Sequence, residues 1–156
     1  MRKIGVILGT FNPPHISHLS LATAALQIID GIIFIPAYQN PWKRYYNNFL
    51  NRYYMLEELV SGYSKIYVSA VESSLEKVDG SVPSYTVLKR MGELYSDSIV
   101  YPIITLETAN EIERWINGDW ILKEFKFIVV GPGYLPSNLM VERRIEGLNI
   151  KVTKKS

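Results

Sequence analysis

Only two histidines occur in this chain of 156 residues, His15 and His18, and they are its first candidates for chemistry. At a spacing of three residues, both side chains project from one face of a first helical turn. A helix start offers N–H groups without an intrahelical partner and the positive end of the helix dipole, which suits phosphate. Two imidazoles add donors for phosphate oxygens near neutral pH. The pair therefore predicts an anion site.

Two other interpretations of the histidine pair stay open. A metal site would need further ligands, and with no cysteine and no third histidine these would have to be carboxylates. We therefore expect no metal bound by protein side chains alone. Alternatively, one histidine caps the helix and the other is solvated. The segment 9–14 favours phosphate, because Gly9 and Thr10 bring main chain close to a ligand while Pro13 and Pro14 stiffen the loop.

The elements that must position this site alternate between strand and helix patterns. An aliphatic run at 3–8 ends in a Gly, Asn and Pro cluster, helical periodicity follows from Ser17, and a second apolar run spans 32–35. A strand, helix and strand of this kind form a βαβ unit, which implies a parallel sheet. Further helices are predicted over 49–60, 84–94, 109–115, 121–125 and 139–145, and further strands over 65–71, 99–105, 127–130 and 148–152.

This alternation predicts an α/β fold: a doubly wound, Rossmann-like, mostly parallel sheet with helices on both faces. In such sheets, ligands bind outside the carboxyl ends of the strands, where the strand order reverses. Because the loop 9–14 leaves the first strand at that end, the histidine pair lies where a site should be sought first.

Composition narrows the class of protein. The length and the 47% hydrophobic content predict one domain over residues 1–156. A net charge of +2 gives no strong field toward nucleic acid. Without cysteine the chain has no disulfide and no thiol nucleophile, so we expect a reducing, cytoplasmic setting. No apolar stretch is long enough to span a membrane, so no membrane partner is expected.

The segment GTFNPPHISH at 9–18 resembles the signature G-T-F-(D/N)-P-P-H-x-G-H of the HxGH nucleotidyltransferase superfamily. One position departs from it: Ser17 replaces the usual glycine between the histidines, which is expected to narrow the approach of phosphate. Later segments resemble bacterial nicotinate mononucleotide adenylyltransferase. They are PA at 36–37 with NPWK at 40–43, Arg52 with ML at 55–56, PSYT at 83–86, Arg114 with Trp115, and FIVV at 127–130 with PGY at 132–134.

The chain departs from that family at two further places. TLE at 105–107 stands where the family has Gly-Ala-Asp after the fourth strand. The family's C-terminal I-S-S-T-x-x-R motif has no clear counterpart after Gly147, so the chain resembles a form shortened at the C-terminus.

The resemblance implies an adenylyltransferase that joins ATP and nicotinate mononucleotide to give nicotinate adenine dinucleotide and pyrophosphate, in NAD biosynthesis. It implies that His15 and His18 are catalytic, with His18 donating to the α-phosphate. Mg²⁺ would be bound through the ATP phosphates. The implied ATP site comprises Gly9, Thr10, Phe11, His15, His18 and Glu107, and the implied mononucleotide site comprises Lys43, Tyr85, Thr86 and Trp115.

Alternatives stay open at this point. The acceptor could be nicotinamide mononucleotide or phosphopantetheine, or the chain could bind nucleotide without turnover. Trp115 could be a core anchor, Thr86 a helix cap or first-turn residue, and Lys43 part of a solvated loop. The RYY repeats at 44–46 and 52–54 suggest base stacking, but the small net charge argues against nucleic acid. A homo-oligomer is also left open.

Overall fold

The computed structural model describes residues 1–38, 48–109, 111–130, 139–145 and 148–154, and only the backbone of Leu106, Glu107 and the residues from 139 onward. Its strands are β1 Arg2–Gly9, β2 Gly31–Pro36, β3 Ile66–Val68, β4 Ser98–Thr105, β5 Lys126–Val130, β6 Leu139–Ile145 and β7 Leu148–Lys154. Its α-helices are α1 Ile16–Ala25, α2 Phe49–Val60, α3 Ser84–Leu94, α4 Leu106–Ala109 and α5 Gly118–Glu124, and 3₁₀ turns occupy Val71–Ser74 and Ile112–Arg114.

The described strands form one sheet in the order β3-β2-β1-β4-β5-β7-β6. All neighbouring pairs are parallel except β6 with β7. From β1 the chain winds outward to β2 and β3, and from β4 it winds the other way to β5. The strand order therefore reverses between β1 and β4, and the carboxyl ends of these two strands frame the crevice where ligands bind in such folds.

Apolar side chains cover both faces of strands β1, β2, β4 and β5, as the continuous hydrophobic runs of buried parallel strands require. Alternate residues of β2 divide between the faces: Ile33 and Ile35 belong to one buried cluster, and Ile32 and Phe34 to the other. Helices α3 and α5 pack into the first cluster, and α1 and α2 into the second. The predicted doubly wound α/β fold with helices on both faces is confirmed.

Several predicted boundaries agree with the structure and others do not. Helices predicted over 49–60 and 84–94 coincide with α2 and α3. The helix predicted over 109–115 is wrong: α4 ends at Ala109, and a 3₁₀ turn occupies Ile112–Arg114. Helix α5 begins at Gly118, three residues earlier than predicted, and β3 is only three residues long.

The helix predicted over 139–145 is also wrong, because this segment is strand β6. It pairs antiparallel with β7 in a register that joins Leu139 to Lys154 and Ile145 to Leu148. Seven residues are too few for a helix to be stable by itself, whereas an existing strand offers a full row of backbone partners.

No helix in the described ranges is both long and apolar enough to cross a lipid bilayer.

Candidate active site

The loop after β1 is built around the ring of Phe11. This residue is buried, with 4% of its surface exposed, and its φ of 55° lies in the left-handed region. A Cβ atom at Gly9 would lie 2.9 Å from Cζ of the Phe11 ring. Gly9 is therefore required by the ring that packs on it, and the Gly-Thr-Phe motif is a packing unit at the carboxyl end of β1.

The two histidines adopt different positions at the start of α1. His15 is the extended N-cap residue, and its backbone N–H donates to Nδ1 of His18 over 2.8 Å. The two rings stack with centroids 5.7 Å apart, and the Phe11 ring meets the His18 ring edge-on at 4.9 Å. The backbone bond and two ring contacts together fix the orientation of the His18 imidazole.

This arrangement also sets the protonation state of His18. Because Nδ1 accepts the hydrogen bond from His15, the neutral ring carries its proton on Nε2. Burial, and then the neighbouring His15 ring, lowers the pKa of His18 from its usual 6.5. At neutral pH, His18 is therefore a neutral imidazole with one donor, Nε2–H, left for a ligand.

A cavity of about 790 Å³ opens at the carboxyl ends of β1 and β4, at the reversal of strand order. Gly9, Thr10 and His18 line one part of it, and Arg114 and Trp115 line another. One cavity thus reaches both the histidine motif and the indole predicted to hold a pyridine ring. Among the described residues, His18 is the only one of the two histidines on the cavity wall, and His15 is exposed beside it.

Trp115 fits both interpretations of its sequence pattern. It follows the turn Ile112–Arg114, where its N–H donates to the Ile112 carbonyl over 3.0 Å. One part of the indole packs on the hydrophobic cluster below α3 and α5, while the residue also lines the cavity. The core contact holds the ring in place, and the remaining surface faces the space for a ligand.

The start of α3 reaches the cavity through Pro83 and Ser84. The Tyr85 side chain instead packs on the core, with its ring edge-on to Trp120 at 5.7 Å. The Thr86 N–H donates to the Pro83 carbonyl over 3.0 Å. The predicted contribution of this turn to the mononucleotide site therefore depends on the backbone at Ser84 and Tyr85, which precede the first intrahelical hydrogen bonds.

Two predicted site residues, Lys43 and Glu107, have side chains outside the described part of the chain. Lys43, with its neighbour Trp42, lies outside the described residues. Glu107 is in the backbone of α4, and its side chain is outside the described part. Two hydroxyls of the same region are described: Thr105 and Thr108 line the cavity, and their Oγ1 atoms lie 3.2 Å apart.

Sequence reasoning assigned no role to two buried charged residues beside the cavity: Arg52, named only as part of the family resemblance, and Glu72. A signal for Arg52 was available, since it shares a helical face with Leu56 and Val60, both buried. An arginine on a buried helical face must have polar partners. Glu72 lies in a 3₁₀ turn without periodicity, so the sequence offered no comparable signal.

Among the residues whose side chains are described, no three His, Asp or Glu side chains come together as a metal site. The cavity wall there offers an imidazole, hydroxyls and the Glu72 carboxyl. This donor set fits a magnesium ion that is carried by nucleotide phosphates and water and is not held in a protein cage.

Comparisons with known proteins agree on one family. A sequence model described as cytidylyltransferase-like matches residues 6–150. A Bacillus licheniformis protein named "probable nicotinate-nucleotide adenylyltransferase" is 32% identical over 86% of this chain and 72% of its own length. An Aliarcobacter butzleri protein of the same name is 27% identical over 97% of this chain and 83% of its length.

A solved structure has the same fold. It is the Plasmodium falciparum nicotinic acid mononucleotide adenylyltransferase complexed with NaAD, which superimposes with a TM-score of 0.75 at 20% identity. The match covers 97% of this chain and 74% of that one.

Proposed function

The chain belongs to the cytidylyltransferase-like family and, within it, to the nicotinate-nucleotide adenylyltransferases; from this we propose that it joins ATP and nicotinate mononucleotide, yielding nicotinate adenine dinucleotide and pyrophosphate in NAD biosynthesis. The observation that carries the proposal is that one cavity, at the reversal of strand order, is lined by both His18 and Trp115. It gives one space in which a triphosphate and a pyridine nucleotide can meet.

The reaction is an in-line displacement. A phosphate oxygen of the mononucleotide attacks the α-phosphorus of ATP, the bond from that phosphorus to the bridging oxygen breaks, and pyrophosphate leaves with the electron pair. No covalent intermediate with the protein is needed, so the protein's work is to position the substrates and to stabilise charge.

His18 is the proposed donor to the reacting phosphate. Its Nε2–H is the donor left after Nδ1 has accepted the His15 N–H, and it serves a nonbridging oxygen of the α-phosphate. A donor aimed at developing charge contributes about 3–4 kcal/mol to the transition state. His15 and the backbone of Gly9, Thr10 and Phe11 hold the other phosphates at the start of α1.

The acceptor site lies on the other side of the cavity. The exposed part of the Trp115 indole stacks on the pyridine ring. In the predicted Tyr85–Thr86 turn, the Thr86 N–H is bonded to Pro83, so the backbone N–H groups of Ser84 and Tyr85 bind the ring's carboxylate. Lys43 meets the phosphate of the acceptor.

The ATP ribose is assigned to the end of β4. Glu107 is the proposed acid there, and the hydroxyls of Thr105 and Thr108 are further partners on the cavity wall. Mg²⁺ would be bound through the ATP phosphates, where it would neutralise charge on the pyrophosphate group.

The test is pyrophosphate release from ATP with nicotinate mononucleotide, nicotinamide mononucleotide or phosphopantetheine as acceptor. We expect release that requires both substrates and is fastest with the nicotinate acceptor, because a neutral amide forfeits the carboxylate contact. Preference for either other acceptor would replace the substrate assignment. ATP binding in calorimetry without release from any acceptor would identify a nucleotide-binding protein that does not turn over.

A further inference from the structure

One buried side chain joins the two loops that border the cavity. Arg52, on α2, has 0% of its surface exposed, and its guanidinium donates to three backbone carbonyls. Nη1 donates to the carbonyl of Thr10 over 2.8 Å and to that of Ala37 over 2.6 Å, and Nη2 donates to that of Tyr38 over 3.2 Å. Thr10 belongs to the loop after β1, and Ala37 and Tyr38 follow β2.

Tyr38 is also held by Glu72. This residue is 4% exposed, and its Oε1 accepts the Tyr38 N–H over 3.2 Å. Its carboxyl interacts electrostatically with Arg52 and Lys77, and the Lys77 ammonium lies 4.4 Å from the centre of the Tyr38 ring. Tyr38 thus has its carbonyl bound by Arg52, its N–H by Glu72 and its ring covered by a cation.

Thr10 connects the Arg52 hydrogen bonds to the proposed reaction site. Thr10 lines the cavity and precedes Phe11, whose ring contacts His18. Glu72 lines the same cavity. A rigid, planar guanidinium satisfies three carbonyls at fixed angles, which a lysine ammonium on a flexible stem does not reproduce. Burying a charged guanidinium costs free energy unless its N–H groups are hydrogen-bonded. The bonds from Arg52 therefore constrain Thr10 and the Ala37–Tyr38 segment at the same time.

We propose that Arg52 and Glu72 are positioning residues that fix the loop after β1 relative to Ala37 and Tyr38, which follow β2, and so align the reacting phosphates across the cavity. This inference rests on the proposed function. Neither residue takes part in bond making, and both act through the backbone that they hold. A displacement of about 1 Å in such a site lowers turnover by roughly 100-fold.

The experiment compares Arg52→Lys and Glu72→Ala with Glu72→Gln as the conservative variant. Arg90→Lys is the matched control, because Arg90 is exposed on α3 and pairs only with Glu93 among the described residues, at 3.7 Å. For each protein we would measure the melting temperature, kcat, the KM of both substrates, and the affinity for a nonhydrolysable ATP analogue by calorimetry.

We expect Arg52→Lys to lower kcat about 10- to 100-fold per folded molecule, with a smaller change in either KM, since the loops lose alignment before they lose contacts. Glu72→Ala should lower kcat about tenfold, and Glu72→Gln should restore most of it because the amide still accepts the Tyr38 N–H. The Arg90→Lys control should match the parent protein.

A purely structural role predicts lower melting temperatures with kcat per folded molecule unchanged, and that result would overturn the proposal. If Arg52→Lys does not fold, the Glu72→Ala and Glu72→Gln variants test the proposal instead. Equal kcat values in these two variants would then overturn it. If the parent protein turns over no acceptor, the proposed function fails separately. The positioning role is then tested by the affinity for the ATP analogue, which should weaken about three- to tenfold in Arg52→Lys. Unchanged affinity would reject the role.

Discussion

The backbone N–H of His15 lies 2.8 Å from Nδ1 of His18, so the ring that lines the cavity also bonds the start of its own helix. The capping and the functional interpretations of this histidine pair are therefore compatible. The bond to Nδ1 fixes the ring and directs its remaining donor, Nε2–H, to a ligand.

Replacing His18 by alanine should lower kcat at least about 100-fold, because a donor to the developing charge of the α-phosphate is lost. Steady-state pyrophosphate release measures the effect, and circular dichroism checks the fold. His15→Ala should act mainly on the KM for ATP. Wild-type turnover in His18→Ala would refute the mechanism.

Activity should fall as the pH is lowered through the pKa of His18. Burial and the His15 ring lower this pKa from 6.5, so the ring stays neutral at pH 7 and is protonated only at a more acidic pH. Protonation puts a hydrogen on Nδ1, which then no longer accepts the His15 N–H. Nitrogen-15 NMR should show an Nε2–H tautomer at neutral pH and a midpoint below 6.5. An Nδ1–H tautomer would contradict the assigned donor.

Gly9→Ala should destabilise the protein by about 1–3 kcal/mol, because the new methyl group meets the buried Phe11 ring. Since that ring contacts His18, kcat should fall as well. Gly62→Ala is the matched control, for its Cβ meets nothing within 4 Å among the described residues. Urea denaturation of both variants provides the comparison. Equal stability of the two would show that Phe11 does not require a glycine at this position.

Trp115→Ala should raise the KM for the mononucleotide about tenfold or more, in line with roughly 1–3 kcal/mol for stacking of a base on an aromatic ring. The KM for ATP should change little. Trp115→Phe keeps a flat ring and should recover most of the affinity. If both variants lose stability and mononucleotide affinity in equal measure, the indole serves as a core anchor and not as a stacking platform.

Glu72→Gln should alter how stability depends on pH. Burial raises the pKa of Glu72 from 4.5 to about 7, so the folded protein holds this proton more tightly than the unfolded chain. The resulting stabilisation is complete below pH 4.5 and is lost as the pH rises through 7. The parent protein should therefore lose up to about 3 kcal/mol relative to Glu72→Gln over that range. Urea titrations at several pH values would measure it, and parallel curves would contradict the shifted pKa.

Much of the fold could be predicted because its signals are local. Apolar runs identified the central strands, and the continued alternation of strand and helix patterns identified α2 and α3 to the residue. Strand β6 was missed because its partner, β7, supplies the bonds that make it a strand. The residues of the candidate site likewise divide into those with a local sequence signal and those without one. The histidine motif is contiguous in the sequence, whereas Glu72 is 20 residues beyond Arg52, with no repeat to connect them.

The amino-acid sequence by itself determined the parallel α/β sheet, the loop that leaves β1, and the two imidazoles at the start of α1. Only the tertiary structure decided which imidazole lines the cavity, that Trp115 borders the same space, and that Arg52 binds two loops. The physical reason is the distance along the chain over which each kind of signal acts. Backbone propensity and hydrophobic periodicity act over a few neighbouring residues, while a cavity and a buried charge are defined by groups that only chain crossovers bring together.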